Sequence, residues 1–166
     1  DWNAGESGYL VKKWMDEEVI GKNEYNTNIW IYMRYPEVLL NFAEACIELN
    51  DESTAAIYIN MVRNRAGLPD FEGDITAALR HERMIELAFE DLRNYDIRRW
   101  KILEDALTNA KGMENVETTN LDNGNVSTSW KLINIQDRSV SKRMYWLPVP
   151  RVEMAKAPQL TQNPEY

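Results

Sequence analysis

The sequence predicts an all-α fold built on helical hairpins, with a small β-hairpin or irregular insert and an extended Pro-rich C-terminal tail. Three observations carry that reading. Apolar residues recur at helical spacing from Pro36 to about Ala110, turn and capping residues interrupt the pattern at short intervals, and beyond Gly112 the composition turns to Thr, Asn, Ser, Gly and Pro.

Residues 1–33 mix Gly5, Gly8 and Gly21 with scattered aromatics, among them Trp2, Trp14 and Trp30, and sustain no period. They read as an irregular lead-in to a helical core at 34–110, followed by an insert and tail at 111–166. A chain of 166 residues can bury a genuine core, and one domain is the default.

From Pro36, whose fixed φ suits a first helical turn, Val38, Leu39, Phe42, Ala43, Cys46 and Leu49 form an apolar stripe, with Glu37, Asn41, Glu44 and Glu48 opposite. Asn50-Asp51-Glu52-Ser53 supplies turn and N-cap chemistry. A second stripe, Ala55, Tyr58, Ile59, Val62 and Ala66, stops at Gly67 and Pro69. Two helices joined by so short a turn run antiparallel, giving a hairpin of tetratricopeptide-like type, of which one copy is visible.

Asp74 or Thr76 caps a third helix whose apolar sector runs through Ile75, Ala78, Leu79, Ile85, Ala88, Phe89 and Leu92. Asn94 caps a fourth, from Tyr95 to about Ala110, stopped by Gly112. Trp130 to Ile135 and Arg143 to Leu147 read as short extended segments, with Asn123-Gly124 as turn chemistry. Pro148, Pro150, Pro158 and Pro164 favour an extended tail lying across the helices.

Composition excludes several classes of function. The formal net charge of -8 repels phosphate backbones and anionic lipid, so nucleic acid is not an expected partner. Cys46 is the only cysteine, which rules out an internal disulfide and a zinc cluster. No apolar run reaches the roughly 18 residues a membrane span needs. The opening Asp1-Trp2-Asn3 resembles no leader, so any targeting signal or lipid anchor is expected to lie outside this chain.

The third helix carries the chemistry in question. Glu82 and Glu86 fall in line with Ile75, Leu79, Phe89 and Arg93, which sets two carboxylates in an apolar sector. Buried carboxylates need cationic partners. Arg63, Arg65, Arg83, Arg93 and Arg99 are at hand, and the expected outcome is a structural ion-pair network joining them to Glu82, Glu86, Glu90 and Asp96. The competing reading, an acid/base pair for glycoside hydrolysis, needs one carboxyl group held protonated. Acids crowded by arginine stay ionised, so no catalytic residue is assigned.

His81 is the sole histidine and lacks a partner motif for a metal, so no metal or other cofactor is expected. No Gly-x-Ser-x-Gly turn or phosphate-cradling glycine loop occurs. Asn125-Val126-Ser127 fits the glycosylation pattern but carries little weight. Among the six tryptophans, Trp100 and Trp146 read as core, whereas Trp14, Trp30 and Trp130 are the candidates to stack on a sugar.

Several segments resemble the C-terminal region of SusD/RagB proteins. Met33-Arg34-Tyr35-Pro36-Glu37-Val38-Leu39-Leu40-Asn41-Phe42-Ala43-Glu44-Ala45 is similar to the family's R-Y-x-E-V-L-L-N-Y-A-E-A helix, and Asn60 to Leu68 is similar to N-x-V-R-x-R-A-G-L. Glu82-Arg83 through Glu90 resembles E-R-x-x-E-L-A-F-E, and Arg93, Asp96, Arg99 and Trp100 continue as R-x-x-D-x-x-R-W. Leu147-Pro148-Val149-Pro150 with Glu153, and Gln162 to Tyr166, resemble P-I-P-x-x-E and Q-N-P-G-Y. Asp91 and Glu165 stand where the family has glycine, in positions that would strain any other residue if the backbone turns left-handed.

The resemblance implies a helical, tetratricopeptide-like fold, lipid anchorage at the bacterial outer membrane, a SusC-like TonB-dependent transporter as partner, and binding of oligosaccharide without cleavage. It also implies that upstream helical repeats precede these motifs, so the chain reads as part of a longer protein. The alternative is a helical protein-interaction scaffold, which would present an apolar groove instead of aromatic platforms.

Overall fold

A computed structural model describes residues 7, 9, 11–19, 22, 25–119 and 124–166. The chain is mostly helical with one two-stranded antiparallel sheet. It divides into two compact units, Lys13–Asp96 on the one hand and Asp1–Lys12 with Ile97–Tyr166 on the other.

The first of these is built on α1 (Tyr35–Glu48), α2 (Glu52–Arg65) and α3 (Ile75–Glu86). Pro36 occupies the first turn of α1. At the other end Asn50 turns left-handed (φ 60), its N–H bonds the Ile47 carbonyl at 2.9 Å, and the Asp51 N–H bonds the Cys46 carbonyl at 2.8 Å. This pair of bonds satisfies carbonyls that a helix end would otherwise leave open. Asp51 then starts the next helix, its side chain accepting the Thr54 N–H at 3.1 Å. With one helix ended and the next begun inside three residues, α1 and α2 pack as a hairpin.

The end of α2 repeats the pattern with Gly67 at φ 76, the N–H groups of Gly67 and Leu68 bonding the carbonyls of Asn64 and Arg63 at 3.0 Å each. Of the two expected caps for α3 it is Asp74 that serves, accepting from the N–H groups of Thr76 and Ala77. The core gathers Leu39, Leu40, Ala43 and Cys46 from α1, Ala55, Ile59 and Val62 from α2, and Ile75, Ala78 and Leu79 from α3, with Leu87 just beyond. Each fully buried side chain such as Leu40 or Ile59 contributes about 2 kcal/mol.

Of the expected stripe on α1, Leu39, Ala43 and Cys46 are buried, but its edge is turned. Leu40 is fully buried, whereas Val38 and Phe42 are about half exposed, Phe42 packing edge-on against Tyr58 with ring centroids 4.7 Å apart. Glu37, expected on the outer face, is buried in the first turn, where the positive end of the helix favours a carboxylate. The third helix ends at Glu86, short of Leu92. Phe89 and Asp91 both take φ 63, which no α-helix can contain, and Ile85 and Phe89 face solvent.

In the other unit, one helix was expected from Tyr95 to about Ala110, and two short ones are found, α4 (Arg93–Arg99) and α5 (Leu103–Ala106). The division between units falls inside α4. Lys101 causes the break, turning left-handed (φ 55) so that its N–H bonds Arg98 and the Ile102 N–H bonds Ile97, both at 3.0 Å. This is the same terminating motif as at Asn50 and Gly67, here closed by a lysine.

β1 (Ala110–Thr119) pairs antiparallel with β2 (Val126–Gln136), from Lys111 opposite Asn134 to Thr119 opposite Val126. The hairpin is longer than the expected Trp130 to Ile135 segment. Of the Asn123-Gly124 turn, Asn123 lies outside the described residues and Gly124 takes φ 69. Gly112 lies within β1 instead of stopping a helix. A Cβ there would come within 2.7 Å of the Ser7 carbonyl oxygen, which accepts the Met113 N–H at 3.0 Å.

Arg143 to Leu147, expected extended, contains a 3-10 turn at Lys142–Tyr145. The tail is not extended throughout either, since α6 (Arg151–Lys156) follows Pro150 directly. The last residues fold back, with the Gln162 side chain accepting the Val149 N–H at 2.7 Å and donating to the Val149 carbonyl at 3.0 Å.

Candidate functional site

The carboxylates on α3 and just beyond it each meet a cation. Glu82 accepts from Arg63 Nη1 at 2.9 Å. Glu86 accepts from Arg65 Nη2 through both oxygens, at 2.7 and 2.9 Å, and from Arg34 Nη1. Glu90 receives Arg34 Nε at 2.8 and 3.0 Å, Arg34 Nη2 at 2.8 Å, and Lys13 Nζ. Arg83 holds Asp96 in a fork, Nε to Oδ2 at 2.8 Å and Nη2 to Oδ1 at 3.1 Å, while its Nη1 donates to Asn41 Oδ1 at 2.6 Å. Among the described residues, no buried side-chain nitrogen or oxygen lacks a hydrogen-bond partner.

The electrostatics follow. Burial works to raise the Glu90 carboxyl, but the hydrogen bonds and charges of Arg34 and Lys13 together outweigh it and hold the group below the usual carboxylate range. Burial likewise works to lower the Arg34 guanidinium, and Glu90 and Glu86 reverse that, leaving it above its ordinary value. Arg93 is shifted down, because burial outweighs the attraction of Asp96. Arg99 lies over the Trp100 ring at 4.8 Å.

Lys13 and Arg34 were not singled out from the sequence. They reach Glu90 across 77 and 56 positions, so no local spacing announces them, although Arg34 stands in the first of the quoted motifs. They also close the end of α3. Lys13 Nζ donates to the carbonyls of Glu86 and Ala88 at 3.0 and 2.8 Å, Arg34 Nη2 to that of Glu86, and Trp14 Nε1 to that of Phe89 at 3.3 Å. Cations placed on terminal carbonyls are favoured by the helix dipole.

The candidate tryptophans separate. Trp14 and Trp30 form a tilted pair with centroids 5.3 Å apart, Trp14 half-buried and Trp30 exposed. Trp130 stands exposed on β2, opposite Asn115. Trp146, expected in the core, is 62% exposed. Its N–H bonds the Arg143 carbonyl and its carbonyl accepts from Tyr166 Oη, 20 residues on, which pins the backbone beneath the exposed ring.

In the unit containing Ile97–Tyr166 an open cavity of about 810 Å³ lies beside Trp146. Its other walls include Arg98, Arg99, Lys101 and Lys142, with Glu104 and Glu165 as the acids. None of the α3 carboxylates lines this cavity. His81 is exposed, Cys46 is buried, and among the described residues no cluster of three His, Cys, Asp or Glu could hold a metal ion. No helix among them is long and apolar enough to cross a membrane.

The helical fold with its small two-stranded sheet and the ordered motifs agree with the comparisons to known proteins. The model of the SusD family matches residues 1–166, and the chain belongs to that family. It is 40% identical over 109 residues to SusD-like protein P2 of Formosa agariphila, which covers 57% of this chain and 21% of that protein. SusD-like protein P25 of the same organism is 34% identical over 108 residues, covering 60% and 20%. A crystal structure of a SusD-like protein from Bacteroides fragilis superposes with a TM-score of 0.70 at 38% identity, covering 82% of this chain and 26% of that one. A SusD superfamily structure from Parabacteroides distasonis shares the fold at a TM-score of 0.53 and 22% identity, covering 90% and 30%. The chain therefore spans about a fifth of the length of the curated relatives it matches.

Proposed function

We propose that this chain serves the capture of oligosaccharide for nutrient uptake, without cleaving it, in a lipid-anchored protein on the surface of the bacterial outer membrane. A SusC-like TonB-dependent transporter is the partner that takes the captured glycan across. The match of the SusD family along residues 1–166 is the observation that carries this reading.

Two further features support it. Glu82 and Glu86 accept from arginine, and Glu90 just beyond α3 from arginine and lysine, an arrangement that suits bracing of helices better than the free acid/base pair of glycoside hydrolysis. The α1–α2 hairpin has the short connection of a tetratricopeptide-like unit. In this reading the network around Glu82, Glu86, Glu90 and Asp96 braces helices, while Trp14, Trp30 and Trp130 are the candidates to contact sugar.

The test uses the gene product that carries this chain. Calorimetry against a glycan panel should show binding to at least one oligosaccharide with no release of reducing ends, and the protein should co-purify with a TonB-dependent transporter. A blank panel, or reducing ends that vanish in Glu82→Gln or Glu86→Gln variants, would overturn the proposal.

A further inference from the structure

The cavity beside Trp146 combines two features that rarely meet on a chain with a formal net charge of -8. Four cationic side chains, Arg98, Arg99, Lys101 and Lys142, line it against two carboxylates, Glu104 and Glu165. Both acids have partners of their own: Glu104 accepts from Tyr145 Oη, and Glu165 Oε2 accepts the Arg143 N–H at 3.0 Å. The Tyr145 hydroxyl holds the Glu104 carboxyl below its ordinary range, with Lys142 adding to the effect. Both carboxylates stay charged, yet four cations against two acids leave the lining with an excess of positive charge, which a concave wall concentrates.

The second feature is the ring of Trp146. Its backbone is tied at both N–H and carbonyl, and the Leu147 carbonyl accepts from Asn163, so the ring is presented on a fixed support. A flat exposed aromatic ring covers the C–H face of a sugar, and little side-chain order is lost on binding when the support is already rigid.

Lys101 adds a third observation. It closes α4 in the left-handed conformation (φ 55) that glycine adopts without penalty, and its side chain lines the cavity. A strained position that keeps a long cation is a pointer to use of that cation.

We infer that this cavity is a binding subsite for acidic oligosaccharide, with Trp146 stacking on a sugar ring and Lys101, Lys142, Arg98 and Arg99 receiving its carboxylate or sulfate groups. The inference rests on the capture reading above and names the class of glycan for it. Arg98 is positioned by its Nε bond to the Met144 carbonyl at 3.1 Å, which orients the guanidinium along the cavity wall.

The experiment is calorimetry of the gene product with three oligosaccharides of equal length: a neutral β-glucan, an oligogalacturonide and a sulfated carrageenan fragment. One or both acidic probes should bind at least about tenfold tighter than the neutral one, and added salt should weaken them selectively. The comparison of galacturonide with carrageenan separates carboxylate from sulfate recognition. Lys142→Gln and Trp146→Ala should each weaken the acidic ligand by about tenfold. Lys101→Gly should do the same while leaving the thermal midpoint unchanged or higher, because it removes the cation and relieves the backbone together.

Tight binding of the neutral glucan alone, or acidic binding untouched by Lys101→Gly and Lys142→Gln, overturns this inference and leaves the capture reading standing. Preference for a poly-glutamate peptide over both acidic sugars overturns it as well. Failure to bind any saccharide would remove the capture reading and this inference with it.

Discussion

Arg83 and Asp96 face each other as a two-bond fork, Nε to Oδ2 at 2.8 Å and Nη2 to Oδ1 at 3.1 Å, with both side chains only 4% exposed. One comes from α3 and the other from the first turn of α4, so the pair fixes where the chain leaves the α3 end. Replacing Arg83 by Met leaves a buried carboxylate without its guanidinium and should cost about 3 kcal/mol of stability. The double replacement with Asp96→Leu should cost less than the single one, since the charge goes with its partner. Urea unfolding midpoints of the two variants check this, and an equal or larger loss in the double variant would contradict it.

Asp91 and Glu165 hold a left-handed backbone (φ 63 and 68), a conformation that glycine takes without penalty. Asp91→Gly should therefore raise stability by up to about 1 kcal/mol. Glu165→Gly should gain less, because it gives up the bond from the Arg143 N–H. Gly67→Ala, at φ 76, should move the other way by about 1 kcal/mol, and thermal scans of the three variants order them.

The Glu90 carboxyl is held below its ordinary range by Arg34 and Lys13 against the opposing effect of burial. Its folded-state value is depressed, so the stability it contributes is fully present above the ordinary carboxylate range and is lost as pH falls through the depressed value. Glu90→Gln should be less stable than the natural chain at neutral pH, and the gap should narrow as pH falls below the ordinary carboxylate range. Denaturant midpoints at a series of pH values measure it, and a gap that widens in acid would reverse the assignment.

Gly112 brings β1 against Ser7. A Cβ at this position would lie 2.3 Å from Ile135 Cδ1 and 2.8 Å from Ser7 Cα. The isoleucine can rotate away, but the Ser7 backbone must move, so Gly112→Ala should open the Met113 to Ser7 hydrogen bond. Hydrogen exchange at the Met113 amide should accelerate in this variant, and adding Ile135→Ala should not restore it.

Legibility in the sequence followed the range of the interactions. The hairpin of α1 and α2, the Asp51 and Asp74 caps and the Gly67 stop all depend on partners within five residues, and spacing located the turn and the stop while narrowing the caps to Asn50–Ser53 and to Asp74 or Thr76. The end of α3 is not readable from spacing, because its position is held by Lys13 and Arg34 through carbonyls more than 50 positions away. The breaks at Phe89 and Lys101 escaped for a related reason: both residues are acceptable helix formers, and nothing local marks them as left-handed.

The site divided along the same line. Residue types pointed to a pool of Arg63, Arg65, Arg83, Arg93 and Arg99 facing Glu82, Glu86, Glu90 and Asp96, since a buried carboxylate demands a cation, but which arginine meets which acid came only with the fold. Arg34 and Lys13 could be found only once the chain was folded.

The sequence by itself determined that acids on α3 would meet guanidinium groups and that the chain carries the ordered motifs of its family, because charge compensation and motif order are properties of composition and position along the chain. Only the tertiary structure decided that Trp146 faces outward over a cation-lined cavity. Its exposure depends on backbone bonds to Arg143 and Tyr166, one of them spanning 20 residues, and the ring's apolar character alone points the wrong way.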